Sequence, residues 1–161
     1  MTAEAVVGVS GGTSNGVGTY TASCSGARDR AGNAGGASVT YAVHYVFAGF
    51  AAPVDNPPIV NGIKAGQSVP VKFGLGGDHG LDVLLGGAAS SAAIPCSAGA
   101  AVDPMEVSVL APGASVFGYD PLTGLYQFNW KTDKSWAGSC RRLLVRLDDG
   151  SCPPTTCPSS S

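Results

Sequence analysis

Short segments in which apolar and polar residues alternate, separated by Gly and Pro, restrict the fold of this 161-residue chain more than any other feature. The chain contains 24 Gly and 11 Pro, which interrupt regular structure too often for a helical bundle or coiled coil. Alternation with a period of two places successive side chains on opposite faces of a β-strand. We therefore expect an all-β fold.

Two alternating runs lie near the N-terminus, at residues 17–25 and 38–46. In each run the apolar side chains share one face: Tyr20, Ala22 and Cys24 in the first, and Val39, Tyr41 and Val43 in the second. The residues between them are rich in Gly, Asn and Asp, which is typical of an antiparallel hairpin. What precedes residue 17 is too short to supply the remaining strands of a sandwich, so residues 1–46 are interpreted as the C-terminal hairpin of an incomplete β domain.

Residues 47–66 carry Pro53, Pro57 and Pro58 and predict an extended connector between two domains. Residues 67–150 contain further strand patterns at 68–75, 81–85, 105–110, 125–131 and 143–147, spaced as in a β-sandwich of roughly seven strands. Pro70 lies within the first of these and cannot donate to a strand partner. We therefore expect either an edge strand or a strand whose Pro70 nitrogen faces solvent, with Pro70 and Lys72 facing outward. Residues 151–161 are interpreted as a flexible tail.

The predicted inward residues of this second domain are apolar and occur at every other position. They are Val69, Val71, Phe73 and Leu75, then Met105, Val107 and Val109, then Tyr126, Phe128 and Trp130, and finally Leu143, Val145 and Leu147.

The formal net charge of −2, with no basic stripe, argues against nucleic-acid binding. No apolar run reaches the roughly 18 residues that span a bilayer, so membrane insertion is not expected. Five Cys in a β-patterned chain of low charge favour an oxidising, extracellular or cell-surface location. The first residues lack the basic start and apolar core of a secretory signal. For an exported protein we therefore expect either the C-terminal fragment of a longer precursor or a mis-started gene model.

Cysteine spacing gives one favoured disulfide and one alternative. Cys96 and Cys140 lie in the same predicted domain, 44 residues apart. In the chain-entropy model, a disulfide that closes a loop of this length stabilises the fold by about 4 kcal/mol. Cys140 has the opposite strand parity from Leu143, so this bond requires a bulge or a strand edge. Cys152 and Cys157 form the alternative pair, and Cys24 is the expected unpaired thiol.

No catalytic, cofactor or metal site is predicted. Ser10 stands in a G-x-S-x-G pattern, but no helix follows it, as a nucleophile elbow would require. The cluster of Asp78, His79 and Asp82 could bind Ca²⁺ through carboxylate and carbonyl oxygens, although a solvated loop is the preferred interpretation. Two His and scattered Cys do not make a zinc site. Trp136, in a predicted turn, is the aromatic ring we would test for ligand contact.

Two resemblances bear on fold and function. Cys24, the turn at 29–33 and the V-x-Y-x-V strand at 39–43 resemble the end of immunoglobulin-like and hyalin-repeat-like modules of bacterial surface proteins. Residues 45–150 resemble the domain named for its Pro-x-Lys-Phe (PxKF) signature, here Pro70, Lys72 and Phe73. The matching pieces, in the order of the family, are residues 45–55, 65–73, 126–132 and 136–143.

The resemblance implies an immunoglobulin-like β-sandwich without established catalytic activity, found at the C-terminal end of multidomain extracellular bacterial proteins. We therefore expect a non-catalytic structural or adhesion module whose partners are neighbouring immunoglobulin-like domains of the same precursor. The alternative is an accessory polysaccharide-binding module of a secreted hydrolase, which would contact a surface glycan. A surface protein is a further expected kind of partner.

Overall fold

The computed structural model describes residues 5–86, 89–96, 102–104 and 117–151. Within these ranges the chain forms strands and one short 3₁₀ turn at Lys134–Trp136, without an α-helix, which confirms the all-β prediction. The strands are β1 (Val6–Gly11), β2 (Gly18–Arg28), β3 (Ala34–Val43), β4 (Phe50–Ala51), β5 (Val60–Gly62), β6 (Ser68–Phe73), β7 (Ser90–Ile94), β8 (Val102–Pro104), β9 (Gly118–Asp120), β10 (Leu125–Lys131) and β11 (Cys140–Leu144). Several antiparallel sheets give a sandwich-like architecture.

The N-terminal unit is a three-stranded antiparallel sheet in the order β1, β2, β3. The predicted hairpin is confirmed, since Tyr20 pairs with Tyr41 and Ala22 pairs with Val39. β1 is an additional strand that the sequence analysis did not identify, because its Gly and Ser residues weaken the apolar alternation. It pairs with β2 over its whole length.

The hairpin turn is organised by the side chain of Asp29. Its Oδ1 accepts hydrogen bonds from the backbone N–H of Ala31 at 2.8 Å and of Asn33 at 2.9 Å. Its Oδ2 accepts a third bond from the Asn33 side-chain amide at 2.8 Å. These bonds, the one from the Asn33 side chain first among them, lower the pKa of Asp29. The Asp and Asn that marked the turn in the sequence therefore form it through side-chain contacts.

The C-terminal unit is built on a four-stranded sheet in the order β4, β6, β10, β9. Because apolar residues alternate with a period of two on β6 and β10, they lie on one face of the sheet and form its core. Val71, Phe73 and Tyr126 are fully buried there. Phe73 and Tyr126 stack with ring centroids 5.8 Å apart. The inward positions predicted on both strands are confirmed, with Trp130 only partly buried at the edge of the core.

Of the two alternatives expected for β6, the edge strand is wrong. β6 lies between β10, which pairs with all six of its residues, and β4, which pairs with Lys72 and Phe73. Pro70 is tolerated because β4 does not extend as far as Pro70, so the missing N–H leaves no gap in that pairing. Pro70 is also buried and Lys72 half-buried, so neither faces freely outward as expected.

Two further strand predictions require correction. Residues 81–85 form a turn with a single bridge from Leu84 to Leu147, because Gly80 and Gly86 adopt the positive φ angles of 81° and 77° that a strand does not use. The last predicted strand begins and ends three residues earlier, as β11, although Val145 and Leu147 are buried as expected. The predicted strand at 105–110 lies outside the described residues.

The predicted connector contains two short strands. β4 joins the four-stranded sheet, and β5 pairs in parallel with β8. Hydrogen-bonded turns, such as the one from Val54 N–H to Ala51 O at 3.3 Å, replace the extended chain that its prolines suggested. Phe50 packs against Phe73, with ring centroids 6.3 Å apart. The N-terminal part of the connector thus contributes to the C-terminal core.

Candidate functional site

The two units share one hydrophobic core, and their junction is the candidate site. Val17, just before β2, and Tyr45, just after β3, are 4% and 7% exposed and belong to the same buried cluster as Val71 and Leu147. The apolar ends of the N-terminal strands therefore insert into the C-terminal unit.

Hydrogen bonds among four residues accompany this apolar contact. We call these four residues, Asn15, Tyr45, Asp148 and Asp149, the junction clasp. The Tyr45 hydroxyl donates to Oδ1 of Asp148 at 2.7 Å, and the Asn15 amide donates to Oδ2 of the same carboxylate at 3.0 Å. The backbone N–H of Tyr45 donates to Oδ2 of Asp149 at 2.8 Å. Both carboxylates of one turn in the C-terminal unit are thereby bound by the N-terminal unit.

The electrostatics of the clasp favour a charged Asp149 carboxylate and a neutral Tyr45 phenol. Burial, followed by the hydrogen bond to Asp148, raises the pKa of Tyr45, so the hydroxyl remains a donor. Burial alone would raise the pKa of Asp149, but hydrogen bonds from Ser151 and from the Tyr45 backbone outweigh it and lower the pKa. His44, half exposed, places its Nδ1 at 3.4 Å from Oδ2 of Asp149.

The predicted disulfide between Cys96 and Cys140 is present, with a Cα–Cα distance of 5.2 Å. Cys140 is the first residue of β11, and Cys96 lies just beyond the end of β7, where Ile94 pairs with Cys140. The disulfide thus forms at a strand edge. The opposite parity of Cys140 and Leu143 required either this or a bulge. Cys24 is a free thiol, whereas Cys152 and Cys157 lie outside the described residues.

Trp136, the candidate ligand contact, is half-buried and its ring is already in contact with other side chains. The Arg141 guanidinium lies 3.9 Å from the centre of its ring, a cation–π contact. Trp130 lies on the core side, with ring centroids 6.1 Å apart. A sugar stacking on the face that Arg141 covers would first have to displace the guanidinium.

The family signature residues fall in the middle of the C-terminal sheet. Phe73 is completely buried, Pro70 is buried, and the half-buried Lys72 lies opposite Gln127 of β10. These positions make the three residues parts of the sheet and its core.

The loop with Asp78, His79 and Asp82 does not bring its side chains together as ligands. Asp78 accepts from the Gly80 backbone N–H at 2.9 Å, and the His79 ring bonds to the Leu75 carbonyl oxygen at 3.1 Å. No group of three potential metal ligands occurs among the described residues. Ser10 lies within β1, a strand, where the nucleophile-elbow geometry does not arise.

The disulfide and the aromatic core are predictable from the sequence, whereas the junction clasp is not. The D-D-G sequence at 148–150 indicates a turn, and an Asp two residues before Ser151 is typical of an Asx turn. The structure contains this Asx turn, in which the Ser151 N–H donates to Asp149 at 2.8 Å. The partner Tyr45 is 104 residues away along the chain, and no local pattern connects the two.

Comparison with known proteins yields no relative: no family model, no curated protein and no solved structure matches the chain. Among the residues that the structure describes, no helix has the length and apolar character needed to cross a bilayer.

Proposed function

We propose that this protein is a non-catalytic structural or adhesion module of a multidomain extracellular bacterial protein, related to the PxKF domain and placed toward the C-terminal end of a row of immunoglobulin-like domains. The junction between its two β units carries the proposal. A spacer must hold consecutive units at a fixed angle, and a junction with a shared core and a partly buried polar clasp does so better than a flexible linker.

The clasp supports this role through its directionality. Apolar contact by itself is non-directional, whereas the bonds from Tyr45 and Asn15 to Asp148, together with the one from the Tyr45 backbone to Asp149, define one orientation. The Cys96–Cys140 disulfide adds a covalent limit to extension of the C-terminal unit. Such bonds persist in oxidising compartments, in agreement with an extracellular location.

A rigid junction is tested by ¹⁵N relaxation and residual dipolar couplings of the full chain. We expect β2 and β10 to report the same rotational correlation time and the same alignment tensor. In Asp148→Ala, which loses the acceptor of two clasp bonds, we expect the two strands to differ. The matched control Asp78→Ala removes an exposed carboxylate outside the clasp. Independent tumbling in the wild-type chain would contradict the spacer role.

A glycan array distinguishes the structural role from the alternative, an accessory polysaccharide-binding module. We expect no binding, because Arg141 already covers one face of Trp136. Binding that is lost in Trp136→Ala but retained in Tyr41→Ala, which removes an exposed aromatic ring elsewhere, would overturn a purely structural role in favour of glycan recognition.

A further inference from the structure

Two of the five Asn residues are followed directly by Gly, Asn15 by Gly16 and Asn61 by Gly62. An Asn–Gly pair favours deamidation, because Gly has no Cβ to hinder the approach of its backbone nitrogen to the Asn side chain. The structure places the two pairs in different surroundings. The difference between them identifies which Asn can react in the folded protein.

The Asn15–Gly16 pair lies in the turn between β1 and β2. Gly16 is exposed and has a φ of 78°, and a Cβ added there would meet no described atom within 4 Å. Its backbone N–H donates to the Thr13 carbonyl oxygen at 3.1 Å, a bond within the turn. The backbone at Asn15 can therefore rotate without loss of strand pairing.

The Asn61–Gly62 pair is held in a strand, since both residues belong to β5 and pair with β8. Both polar atoms of the Asn61 side chain are also bound. Oδ1 accepts from the Asp55 backbone N–H at 2.9 Å, and Nδ2 donates to the Asp55 carbonyl oxygen at 3.1 Å. Cyclisation at Asn61 would break these bonds and the strand pairing together, so Asn61 is the protected reference for Asn15.

The amide group of Asn15 is a donor that the junction clasp requires. Its Nδ2 donates to Oδ2 of Asp148 at 3.0 Å and to the Asp82 carbonyl oxygen at 3.3 Å. Both partners are acceptors, so an oxygen in place of Nδ2 would have no hydrogen to share with either. At neutral pH a carboxylate at this position would also repel the carboxylate of Asp148.

We propose that Asn15 is a site of spontaneous deamidation and that its product opens the junction clasp. The reaction turns the amide that binds Asp148 into a carboxylate that repels it. Because the released ammonia is diluted into the solvent, the change is permanent. Deamidation of Asn15 therefore loosens the contact between the two β units as the molecule ages.

The covalent step needs water as its co-reactant and transfers no electrons. The Gly16 backbone nitrogen attacks Cγ of Asn15, and the new N–C bond closes a succinimide ring. The Cγ–Nδ2 bond breaks, and the nitrogen leaves as ammonia with the proton of the Gly16 N–H. Water then opens the ring at either carbonyl, which gives Asp or isoaspartate.

The isoaspartate product disturbs the junction in a second way. It carries the main chain through the former side chain of Asn15, which inserts an extra carbon into the backbone. This insertion lies two residues before Val17, which is 4% exposed in the core that the two units share. Both products therefore act on the junction, one through charge and the other through charge and chain length.

The site is tested by incubation of the full chain at pH 8 and peptide mapping by mass spectrometry. Each rate is divided by the rate of the same Asn in the urea-unfolded chain, which removes the effect of flanking sequence. We expect this ratio to be about tenfold or more higher for Asn15 than for Asn61, which must break additional hydrogen bonds to react.

The restraint that the clasp places on Asn15 is tested with Asp148→Ala. Loss of a hydrogen bond to a charged group should raise the deamidation rate of Asn15 about tenfold and leave that of Asn61 unchanged. The matched control Asp78→Ala removes an exposed carboxylate outside the clasp and should change neither rate.

The effect of the product on the clasp is tested with Asn15→Asp and hydrogen exchange. The Tyr45 backbone N–H, which donates to Asp149, should exchange about tenfold faster in this variant. Asn33→Asp is the matched control, because the Asn33 amide also donates to a carboxylate, that of Asp29, in the distant hairpin turn. It should leave the exchange of Tyr45 unchanged.

Three results would overturn the proposal. The first is an Asn15 that deamidates no faster than Asn61 in the folded chain. The second is an equal rise at both sites in Asp148→Ala, which would indicate general unfolding. The third is unchanged exchange of Tyr45 in Asn15→Asp. Failure of the spacer role is distinguishable from these, since it shows as independent tumbling of the two units in the unmodified chain.

Discussion

Burial and hydrogen bonding act on the pKa of Asp149 in opposite directions. It is 6% exposed, and it accepts bonds from Tyr45 and Ser151 that lower its pKa despite burial. A carboxyl whose folded-state pKa lies below its unfolded value, about 3.9, stabilises the fold fully above that pH. Its contribution is lost as the pH falls through the folded-state pKa.

For Asp149→Asn we expect a loss of about 1–3 kcal/mol in the free energy of unfolding at pH 7, because the amide places a donor where an N–H or hydroxyl donor already points. Urea unfolding at pH 7 and pH 3 measures this. Because the variant has no carboxyl at this site, its stability should also fall less than that of the wild type between these two pH values.

The control for this measurement is Asp82→Asn, which changes an exposed carboxyl outside the clasp. We expect it to stay within about 0.5 kcal/mol of the wild type. Equal losses for the two variants would mean that the acid sensitivity reflects the overall charge and not the clasp.

Tyr126 combines a packing role with a hydrogen-bonding role at one position. Its ring is completely buried between Phe73 and Phe117, and its hydroxyl accepts the backbone N–H of His79 at 2.7 Å. Tyr126→Phe keeps the packing and leaves this N–H without its partner, so we expect a loss of about 1–3 kcal/mol. Thermal unfolding of the variant checks this, and an unchanged midpoint would show that water replaces the hydroxyl.

At the scale of elements, β6 is the strand on which the C-terminal sheet depends. It is paired on both sides at Lys72 and Phe73, and Val69 and Val71 are 3% and 0% exposed. Val71→Ala should cost on the order of 2 kcal/mol, because it leaves a cavity in a close-packed core. Val6→Ala, a matched change at 65% exposure, should cost less than about 0.5 kcal/mol. Chemical denaturation of both variants measures the difference, and similar costs would contradict the central position of β6.

At the scale of the whole molecule, the disulfide ties β7 to β11 across 44 residues. In the chain-entropy model a loop of this length contributes about 4 kcal/mol, a large share of the 5–15 kcal/mol that folded domains have. We expect the double variant Cys96→Ala with Cys140→Ala to unfold at much lower denaturant concentration than the oxidised wild type. A midpoint within error of the wild type would show that the loop is already ordered by other contacts.

Local patterns in the sequence determined the elements whose causes are local. Alternation predicted β2 and β3, and it predicted β6 and β10 together with their inward residues. The Asp29 to Asn33 segment predicted its turn, because side-chain parity and Asx chemistry act over a few residues. The Cys96–Cys140 pair was also predictable, since few cysteines share that domain. Residues 81–85 show where such local prediction fails. Their apolar content suggested a strand, but the flanking glycines allow the turn that the structure contains.

The tertiary structure alone decided which strands are central and what joins the two units. Pro70 suggested an edge strand, and only the sheet order shows that β4 covers the far end of β6 and leaves Pro70 beyond its reach. The bonds between Tyr45 and the two aspartates connect residues more than 100 positions apart. Such contacts depend on how whole sheets pack, which the alternation within one strand does not encode.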